Sequence, residues 1–222
     1  MPPDRPSQFE PFAGLPVATL YTDDGWQTRF LGSPLLQRLE PLHWQQLLQR
    51  MTVVRLVAGE PLLEADTPGD ACYVLQSGRM RVHRGATTLA LLEPGALFGE
   101  DALITGGRRN ASATALTDCR VGRLPRERFE RWLLGAVIRP LARIGARVPL
   151  VIGVNASPAG GAGLPLARIR APDAVLSRSV RYCAVGGQLR ERWLAAFVLA
   201  QQGYDVLPLD AAADAGRAPA DR

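Results

Sequence analysis

A glycine, a carboxylate and two arginines fall within one short segment, FGEDALITGGRRNASATA, residues 98–115. Glu100 can accept a hydrogen bond from a ribose hydroxyl, and Arg109 can pair with a phosphate through its planar fork. Gly99 permits a close approach of the backbone to a ligand. The turn that begins at Asp101 offers backbone N–H groups at a helix start, where anions are favoured. The segment therefore predicts a site for a small anion with a free hydroxyl, such as a cyclic nucleoside monophosphate.

The predicted site, which we call the cradle, covers residues 98–111. Its expected ligand-binding residues are Phe98, Gly99, Glu100, Asp101, Ala102, Leu103, Arg109, Asn110 and Ala111. Asn110 and Ala111 are small enough to let a phosphate reach the chain, and Asp101 is expected to point outward, away from an anion. Two alternatives stay open, in which Glu100 is a capping carboxylate and Arg109 forms an ion pair at a strand edge. Arg108 is either a solvated charge or a second phosphate contact.

Short runs rich in Val, Leu, Thr and Tyr surround the cradle between residues 52 and 124, separated by turn residues such as TPGD, SG and EPGA. Strands this short and this regularly spaced are typical of an antiparallel barrel or jelly roll. The cradle interrupts the barrel between two strands. An inserted helical turn in a barrel wall is where a ligand pocket would open.

Helices are predicted on both sides of the barrel. In FLGSPLLQRLEPLHWQQLLQRM the leucines recur at helical steps, and Ser33 before Pro34 is the expected helix start. Pro125 opens a second helix, PRERFERWLLGAVI, which Pro140 should break. The proline-rich residues 1–32 are expected to form an N-terminal arm.

A third pattern follows, in which VPLVIGV and RSVRYCAV resemble strands, QLRERWLAAFVLAQQG an amphipathic helix and YDVLPL a further strand. Strand, helix and strand in this order predict a small parallel α/β unit. The overall prediction is an α+β chain in which residues 33–146 form the barrel domain with its flanking helices. Residues 147–212 form the α/β domain, and residues 213–222 form a disordered tail.

Composition narrows the classes of function. The chain has 222 residues, 47% of them hydrophobic and 21% charged, as in ordinary globular proteins. Its start is polar and its apolar runs are shorter than the ~20 residues that span a bilayer, so we expect neither a secretory signal nor a membrane contact. Cys72, Cys119 and Cys183 are too scattered for a disulfide framework or an iron–sulfur centre, and His43 and His83 lack metal-ligand spacing. A reducing cytoplasm without a metal cofactor is the expectation.

The net charge is +5, and all 26 basic residues are arginine. Eight of them fall in one stretch of the sequence: Arg120, Arg123, Arg126, Arg128, Arg131, Arg139, Arg143 and Arg147. This cluster is either a solvated helix face or a surface for an anionic partner such as a phosphate backbone.

The cradle resembles the phosphate-binding cassette of cyclic nucleotide-binding domains, which carry FGE, then Ala-Leu, then an arginine about nine positions after the glutamate. The resemblance runs over residues 33–134, and VAGEPLLEADTPGDACYVLQSGRMRV matches the glycine turns of that family. Arg108 departs from the proline frequent in the family, and Asn110 departs from its Ala, Ser or Thr. The resemblance implies cAMP or cGMP as the ligand.

The segment RYCAVGGQLRERWLAAFVLAQQGYDVLPLD resembles a degenerate rhodanese-like domain. The Asp-Val-Arg of that family is replaced by Gly-Val-Asn at residues 153–155, and the bulky Gln188 and Leu189 alter its cysteine loop. Cys183 is at the position of a persulfide carrier, where a helix N-terminus and Arg190 would lower its pKa. A structural cysteine at a strand end is the alternative.

These patterns predict a cytoplasmic bacterial sensor that is not an enzyme. It binds cAMP or cGMP and signals through the rhodanese-like domain to an unknown protein partner. Closure of the helix over 125–134 would bring Trp132 or Phe129 to the base, unless these rings are core residues. One alternative is a DNA-binding transcription regulator of the Crp/Fnr type, although no helix-turn-helix pattern follows Pro140. The other is a barrel-gated sulfurtransferase with Cys183 as its catalytic residue.

Overall fold

The computed structural model of the chain describes residues 25–141, 150–154, 162–164, 169–170 and 176–210. Three predicted features lie outside these residues: most of the N-terminal arm, the domain boundary at 146/147, and the tail 213–222.

Two four-stranded antiparallel sheets form the barrel and confirm the predicted fold. One sheet has the order β1 (Thr52–Leu56), β8 (Cys119–Pro125), β3 (Ala71–Ser77) and β6 (Leu97–Phe98). The other has the order β2 (Pro61–Leu63), β7 (Ser112–Ala115), β4 (Met80–Arg84) and β5 (Thr87–Leu92). Both sheets contribute to one buried core, in which Leu75 and Val121 meet Met80 and Ala113. The two-residue β6 has no signal in the sequence, because alternation cannot be recognised over so short a run.

The helical region before the barrel differs from the prediction. Helix α1 (Trp26–Leu31) is followed by a 3₁₀ turn (Leu36–Arg38) and by α2 (Pro41–Gln49), which carries a proline in its first turn. The predicted start at Ser33–Pro34 is therefore wrong. The end of the predicted arm is folded, because α1 buries Trp26 and Phe30 in the core.

The helix predicted after the barrel is confirmed. It runs from α4 (Arg126–Phe129) through a π-helical turn (Glu130–Leu134) into α5 (Gly135–Val137). Pro125 stands immediately before its first residue, and the helix ends before Pro140. Its buried face carries Phe129 and Leu133.

A four-stranded parallel sheet forms the third layer, with the order β10 (Ala162–Leu164), β9 (Leu150–Val154), β11 (Arg181–Val185) and β12 (Asp205–Pro208). Helix α6 (Leu189–Gln201) connects β11 to β12, which confirms the predicted parallel strand–helix–strand unit. We call the described residues from 150 to 210 the α/β unit. Strand β10 lies in a glycine- and alanine-rich stretch for which the sequence predicts no strand.

The helices around the barrel and the α/β unit share one hydrophobic core. Phe129 of α4 meets Phe197 of α6 edge to face, with ring centroids 5.5 Å apart. The short helix α3 (Asp101–Thr105), which belongs to the cradle, also packs against α6. The cradle is therefore attached to the barrel on one side and to the α/β unit on the other.

No helix among the described residues is long and apolar enough to cross a membrane. The described part of the chain also contains no group of three or more His, Cys, Asp or Glu residues placed to hold a metal ion.

Candidate functional site

The backbone of the cradle turns sharply between β6 and α3. Gly99 adopts a φ of 81°, a left-handed conformation that side chains rarely tolerate. A Cβ atom there would lie 3.0 Å from Nη1 of Arg109. A glycine is therefore needed both for the turn and for the close approach of the arginine. Helix α3 then begins after Glu100 and ends at Gly106, whose φ is 67°.

Arg109 is held firmly at the floor of the cradle and is only 3% exposed. Its Nη1 donates to the carbonyl of Gly99 at 2.6 Å, and its Nη2 donates to the carbonyl of Ala71 at 2.7 Å. Nη2 also lies 3.3 Å from Oδ1 of Asp70. Among the described contacts, the Nε–H and the second Nη1–H of Arg109 are not used. The guanidinium is therefore preorganised, with two N–H groups left for a ligand.

Asp70 links two arginines, because its Oδ2 also lies 2.6 Å from Nη2 of Arg123. Burial acts to raise the pKa of Asp70, but its contacts with Arg123 and Arg109 outweigh that effect and lower it. The ion pair foreseen as an alternative role for Arg109 is thus present. The ion pair does not turn Arg109 away from the cradle, because Asp70 contacts only Nη2 of the arginine.

Glu100 is buried, with 1% of its surface exposed. Burial, followed by the charge of Asp101, raises its pKa to about 7, and the contact with Arg170 opposes that rise. Oε1 of Glu100 lies 3.2 Å from Nη2 of Arg170. Glu100 stands at the N-cap position of α3, but its side chain makes no capping hydrogen bond, so it is not the capping carboxylate of the alternative. It is a buried acceptor whose charge depends on a residue outside the barrel.

The sequence offered no signal for Arg170. It follows Ile169 in a turn and comes 70 positions after Glu100, outside every motif. Its Nη2 also lies 2.5 Å from Oδ1 of Asp101. Asp101 was predicted to point outward, away from an anion, whereas the structure places it at the cavity. Its carboxylate pairs with Arg170 and also lies 3.4 Å from Nδ2 of Asn110.

A cavity of about 260 Å³ opens above Arg109 and Glu100. The structure brings eight of the nine predicted residues to it: Phe98, Gly99, Glu100, Asp101, Ala102, Arg109, Asn110 and Ala111. Its remaining wall is mostly apolar, with Val82, Leu89 and Leu92 from β4 and β5. Sequence reasoning missed these side chains, since an apolar strand residue looks the same whether it lines a cavity or a core.

Leu103 is the predicted residue that the structure does not bring to the cavity. Its side chain is buried in the core shared with α6, and its N–H donates to the carbonyl of Glu100 at 3.0 Å. The N–H groups of Asp101 and Ala102 precede it and have no acceptor within so short a helix. They are the amides of α3 that a phosphate would meet.

Two aromatic residues expected near the base do not reach the cavity. Phe129 is fully buried against Phe197, and Trp132 is partly buried against the same core, near His43 and Arg131. The alternative, core packing, is therefore correct for Phe129. Neither ring lines the cavity in this conformation.

The arginine cluster is largely used within the fold. Arg126 donates to the carbonyls of Gly69 and Leu103 at 2.6 and 2.9 Å, and Arg128 donates to the carbonyl of Arg50 at 2.6 Å. Two members of the cluster, at 143 and 147, lie outside the described residues.

Arg108, which is not part of this cluster, is exposed and donates to the carbonyl of Asp66 at 2.6 Å.

Cys183 is not placed as a nucleophile. It is fully buried in β11, and burial raises the pKa of its thiol despite the opposing charge of Arg192. Arg190, expected to lower that pKa, instead donates to the carbonyl of Thr105 at 2.9 Å. A buried, protonated thiol cannot serve as a persulfide carrier without opening the sheet.

Comparison with known proteins identifies the class of the barrel. Residues 53–135 match the family model of the cyclic nucleotide-binding domain, so the chain contains such a domain. The chain is 36% identical over 106 residues to the cAMP-dependent protein kinase regulatory subunit of Aspergillus fumigatus, which covers 47% of this chain and 25% of that protein. It is 38% identical over 103 residues to the Cyclic AMP receptor protein of Thermus thermophilus, covering 44% of this chain and 48% of that protein.

Among solved structures, the chain is similar to the Thermus thermophilus catabolite activator protein. The sequence identity is 36% and the TM-score is 0.43, and the match covers 47% of this chain and 53% of that one. The chain thus spans from a quarter to about half of the length of the curated relatives it matches. It is related to regulatory subunits of protein kinases and to regulators of transcription through its cyclic nucleotide-binding domain. The family match ends at residue 135 and does not include the α/β unit.

Proposed function

We propose that this chain is a sensor that binds cyclic AMP in the cradle and signals through its α/β unit. The observation that carries the proposal is a single cavity that joins a preorganised arginine, Arg109, to a buried carboxylate, Glu100, beneath an apolar wall. A cyclic nucleotide would present its phosphate to Arg109, its 2′ hydroxyl to Glu100 and its base to the apolar wall. Cyclic AMP is proposed ahead of cyclic GMP because the relatives above carry cAMP in their names.

In the proposed complex, the phosphate accepts hydrogen bonds from an unused N–H group of Arg109 and from the N–H groups of Asp101 and Ala102. The free 2′ hydroxyl donates to Glu100. The base lies against the apolar wall formed by β4 and β5. The phosphate and the 2′ hydroxyl then each have a polar partner, which a buried polar group requires.

The signal would leave the cradle through α3. One face of α3 packs on α6, and Arg190 of α6 donates to the carbonyl of Thr105 at the end of α3. A ligand that shifts α3 therefore changes its contacts with the α/β unit. We propose no sulfur chemistry in the α/β unit, because Cys183 is buried. The resemblance of the unit to rhodanese-like domains stays a prediction. The bacterial origin and the cytoplasmic location of the protein also stay predictions.

A DNA-binding regulator is the alternative favoured by the relatives that act in transcription. Among the described residues beyond Val137, α6 is the one helix, and it lies between parallel strands, so no helix-turn-helix is formed there. We therefore expect no sequence-specific DNA binding. Selection from random duplexes that returned one enriched palindrome would favour the alternative.

Calorimetric titration with cAMP, cGMP and 2′-deoxy-cAMP tests the proposal. We expect cAMP to bind more tightly than its 2′-deoxy analogue, because only cAMP offers a hydroxyl to Glu100. Tighter binding of cGMP than of cAMP would support the proposed site but would make cGMP the ligand. Absence of binding for both cyclic nucleotides at millimolar concentration would refute the proposed function.

A further inference from the structure

One charged side chain at the cavity comes from outside the cyclic nucleotide-binding domain. Arg170 is 55% exposed, lines the cavity, and pairs through Nη2 with both Glu100 and Asp101. A second cleft of about 470 Å³ lies between α3 and α6 and shares Asp101, Asn110 and Arg170 with the cavity. Arg170 therefore stands at the point where the cradle meets the α/β unit.

The charges around the cavity show why this position matters. Glu100 and Asp101 place two carboxylates at the start of α3, and Arg109 faces them as the buried cation. Asp70 adds a third carboxylate beside Arg109, and Arg123 balances it at 2.6 Å. Without Arg170, the groups that face an entering phosphate would carry a net negative charge. A phosphate is repelled by such a site, and in a partly dry cavity the repulsion is weakly screened.

We infer that Arg170 is a specificity-determining residue of the nucleotide site. It neutralises the two carboxylates at the start of α3, so that the cavity accepts an anionic ligand and the carboxylate form of Glu100, which receives the 2′ hydroxyl, is favoured. The inference rests on the proposed function and deepens it. It makes the α/β unit part of the binding site as well as the receiver of its signal.

The electrostatics of the pair agree with this role. Burial acts against the charge of Arg170, but Glu100 and Asp101 raise its pKa, so the guanidinium stays protonated. Glu100 is faced by Asp101, by Arg170 and, from β3, by the thiol of Cys72, whose own pKa is raised well above its usual value by burial and by Glu100. Among these groups Arg170 alone favours the ionised form of Glu100. Its removal leaves a buried carboxyl group beside a second carboxylate.

The opposite role is a latch, in which Arg170 occupies Glu100 and must leave before the ligand binds. The two roles predict opposite effects of the same substitution. If Arg170 neutralises the site, Arg170→Ala weakens binding. If it is a latch, Arg170→Ala tightens binding.

The experiment compares cAMP binding by calorimetry in the full chain for the wild type, Arg170→Ala, Arg170→Gln and Arg170→Ala/Asp101→Asn. Arg181→Ala is the matched control, because Arg181 is similarly exposed and pairs with Asp205 at 2.7 Å, on β11 and β12 of the α/β unit. We expect both single variants at 170 to bind about tenfold more weakly or worse. Asp101→Asn should restore most of the loss, since it removes one of the two carboxylates. The control should bind within about twofold of the wild type.

Unchanged or tighter binding in both variants at 170 would overturn the inference, and so would failure of Asp101→Asn to restore affinity. If the wild type binds neither cAMP nor cGMP, the proposed function fails. The neutralising role of Arg170 is then tested on the unliganded protein. Carboxyl NMR of the unliganded proteins measures the pKa of Glu100, which Arg170→Ala and Arg170→Gln should raise by about one unit or more. An unchanged pKa in a folded variant would show that Arg170 does not neutralise the pair.

Discussion

The barrel and the α/β unit both contribute residues to the cavity, but the barrel residues are close together in the sequence and the residue from the α/β unit is far from them. The barrel supplies eight predicted residues from one continuous segment, 98–111, whose geometry is set by local turns. The α/β unit supplies Arg170, which comes 70 positions after its partner Glu100. The comparison teaches that the family motif supplies the groups that contact a nucleotide, whereas the charge state of one of those groups depends on a neighbouring fold.

The largest expected effect concerns the core that the two regions share. Phe197 of α6 is fully buried and meets Phe129, so Phe197→Ala should reduce the free energy of unfolding by about 3–5 kcal/mol. Chemical denaturation followed by circular dichroism measures it, with Leu42→Ala, at an exposed site on α2, as the control. Loss of the α/β unit alone, with an unchanged transition for the barrel, would contradict a common core.

Arg109→Ala tests the barrel side of the site. Its removal leaves a phosphate with backbone N–H groups only, so we expect cAMP affinity to fall by about 2–4 kcal/mol, or ~30- to 1,000-fold. It also leaves the carbonyls of Gly99 and Ala71 buried without a donor, so a loss of stability of about 1–3 kcal/mol should accompany it.

The matched variant is Arg109→Lys, which keeps the charge but lacks the planar fork and should not restore full affinity. Calorimetry gives the affinities, and thermal unfolding gives the stabilities. Wild-type affinity in Arg109→Lys would show that charge alone is sufficient.

Glu100 predicts a specific dependence of stability on pH. Its pKa in the folded protein is about 7, above its ordinary value of 4.5, so the folded state binds this proton more tightly than the unfolded state. The resulting stability is fully present below about pH 4.5 and is lost as the pH rises through 7. The loss attributable to this one group is at most about 3 kcal/mol.

Glu100→Gln should remove this dependence, and denaturation of both proteins between pH 4.5 and 8 measures the difference between them. Glu93→Gln, at an exposed carboxylate, is the control and should keep the wild-type slope. A difference between wild type and Glu100→Gln that stays constant over this range would contradict the assignment.

Glu100→Ala tests the discrimination of the sugar. A charged acceptor for one hydroxyl contributes about 1.5–3 kcal/mol to binding, so cAMP affinity should fall by that amount. The variant should hardly distinguish cAMP from 2′-deoxy-cAMP, whereas Arg109→Ala should largely keep the distinction at lower affinity. Calorimetry with both ligands measures each ratio, and retained discrimination in Glu100→Ala would assign the hydroxyl to another residue.

The smallest expected effect lies at the contact between α3 and α6. Arg190→Ala removes one exposed hydrogen bond to Thr105 and should cost about 0.5–1.5 kcal/mol of stability. Gly106→Ala should do more, because a Cβ atom there overlaps the Arg190 guanidinium and strains a residue with a φ of 67°. Hydrogen exchange at α6 with and without cAMP shows whether the contact transmits ligand binding. If cAMP changes hydrogen exchange at α6 equally in the wild type and in both variants, the contact between α3 and α6 does not transmit ligand binding.

Particular residues show where prediction from sequence succeeds. The strands from 52 to 124 were recognisable because alternation and turn residues repeat over many short runs. The helix after Pro125 was recognisable because proline marks its start. The motif did not reveal that the Leu103 side chain lies in the core shared with α6 and not at the cavity. It also did not reveal the partner of Asp101, which lies in another part of the chain.

The sequence by itself determined the barrel, the close backbone approach that Gly99 permits, and the presence of a carboxylate and an arginine nine positions apart in one segment. These features depend on residues close to one another along the chain, so their spacing carries the information. Only the tertiary structure decided the burial of Glu100, its partner Arg170, and the burial that raises the pKa of the Cys183 thiol. A charge in a folded protein depends on every group that surrounds it. The partner of Glu100 comes from a turn 70 positions further along the chain, a contact with no periodic trace in the sequence.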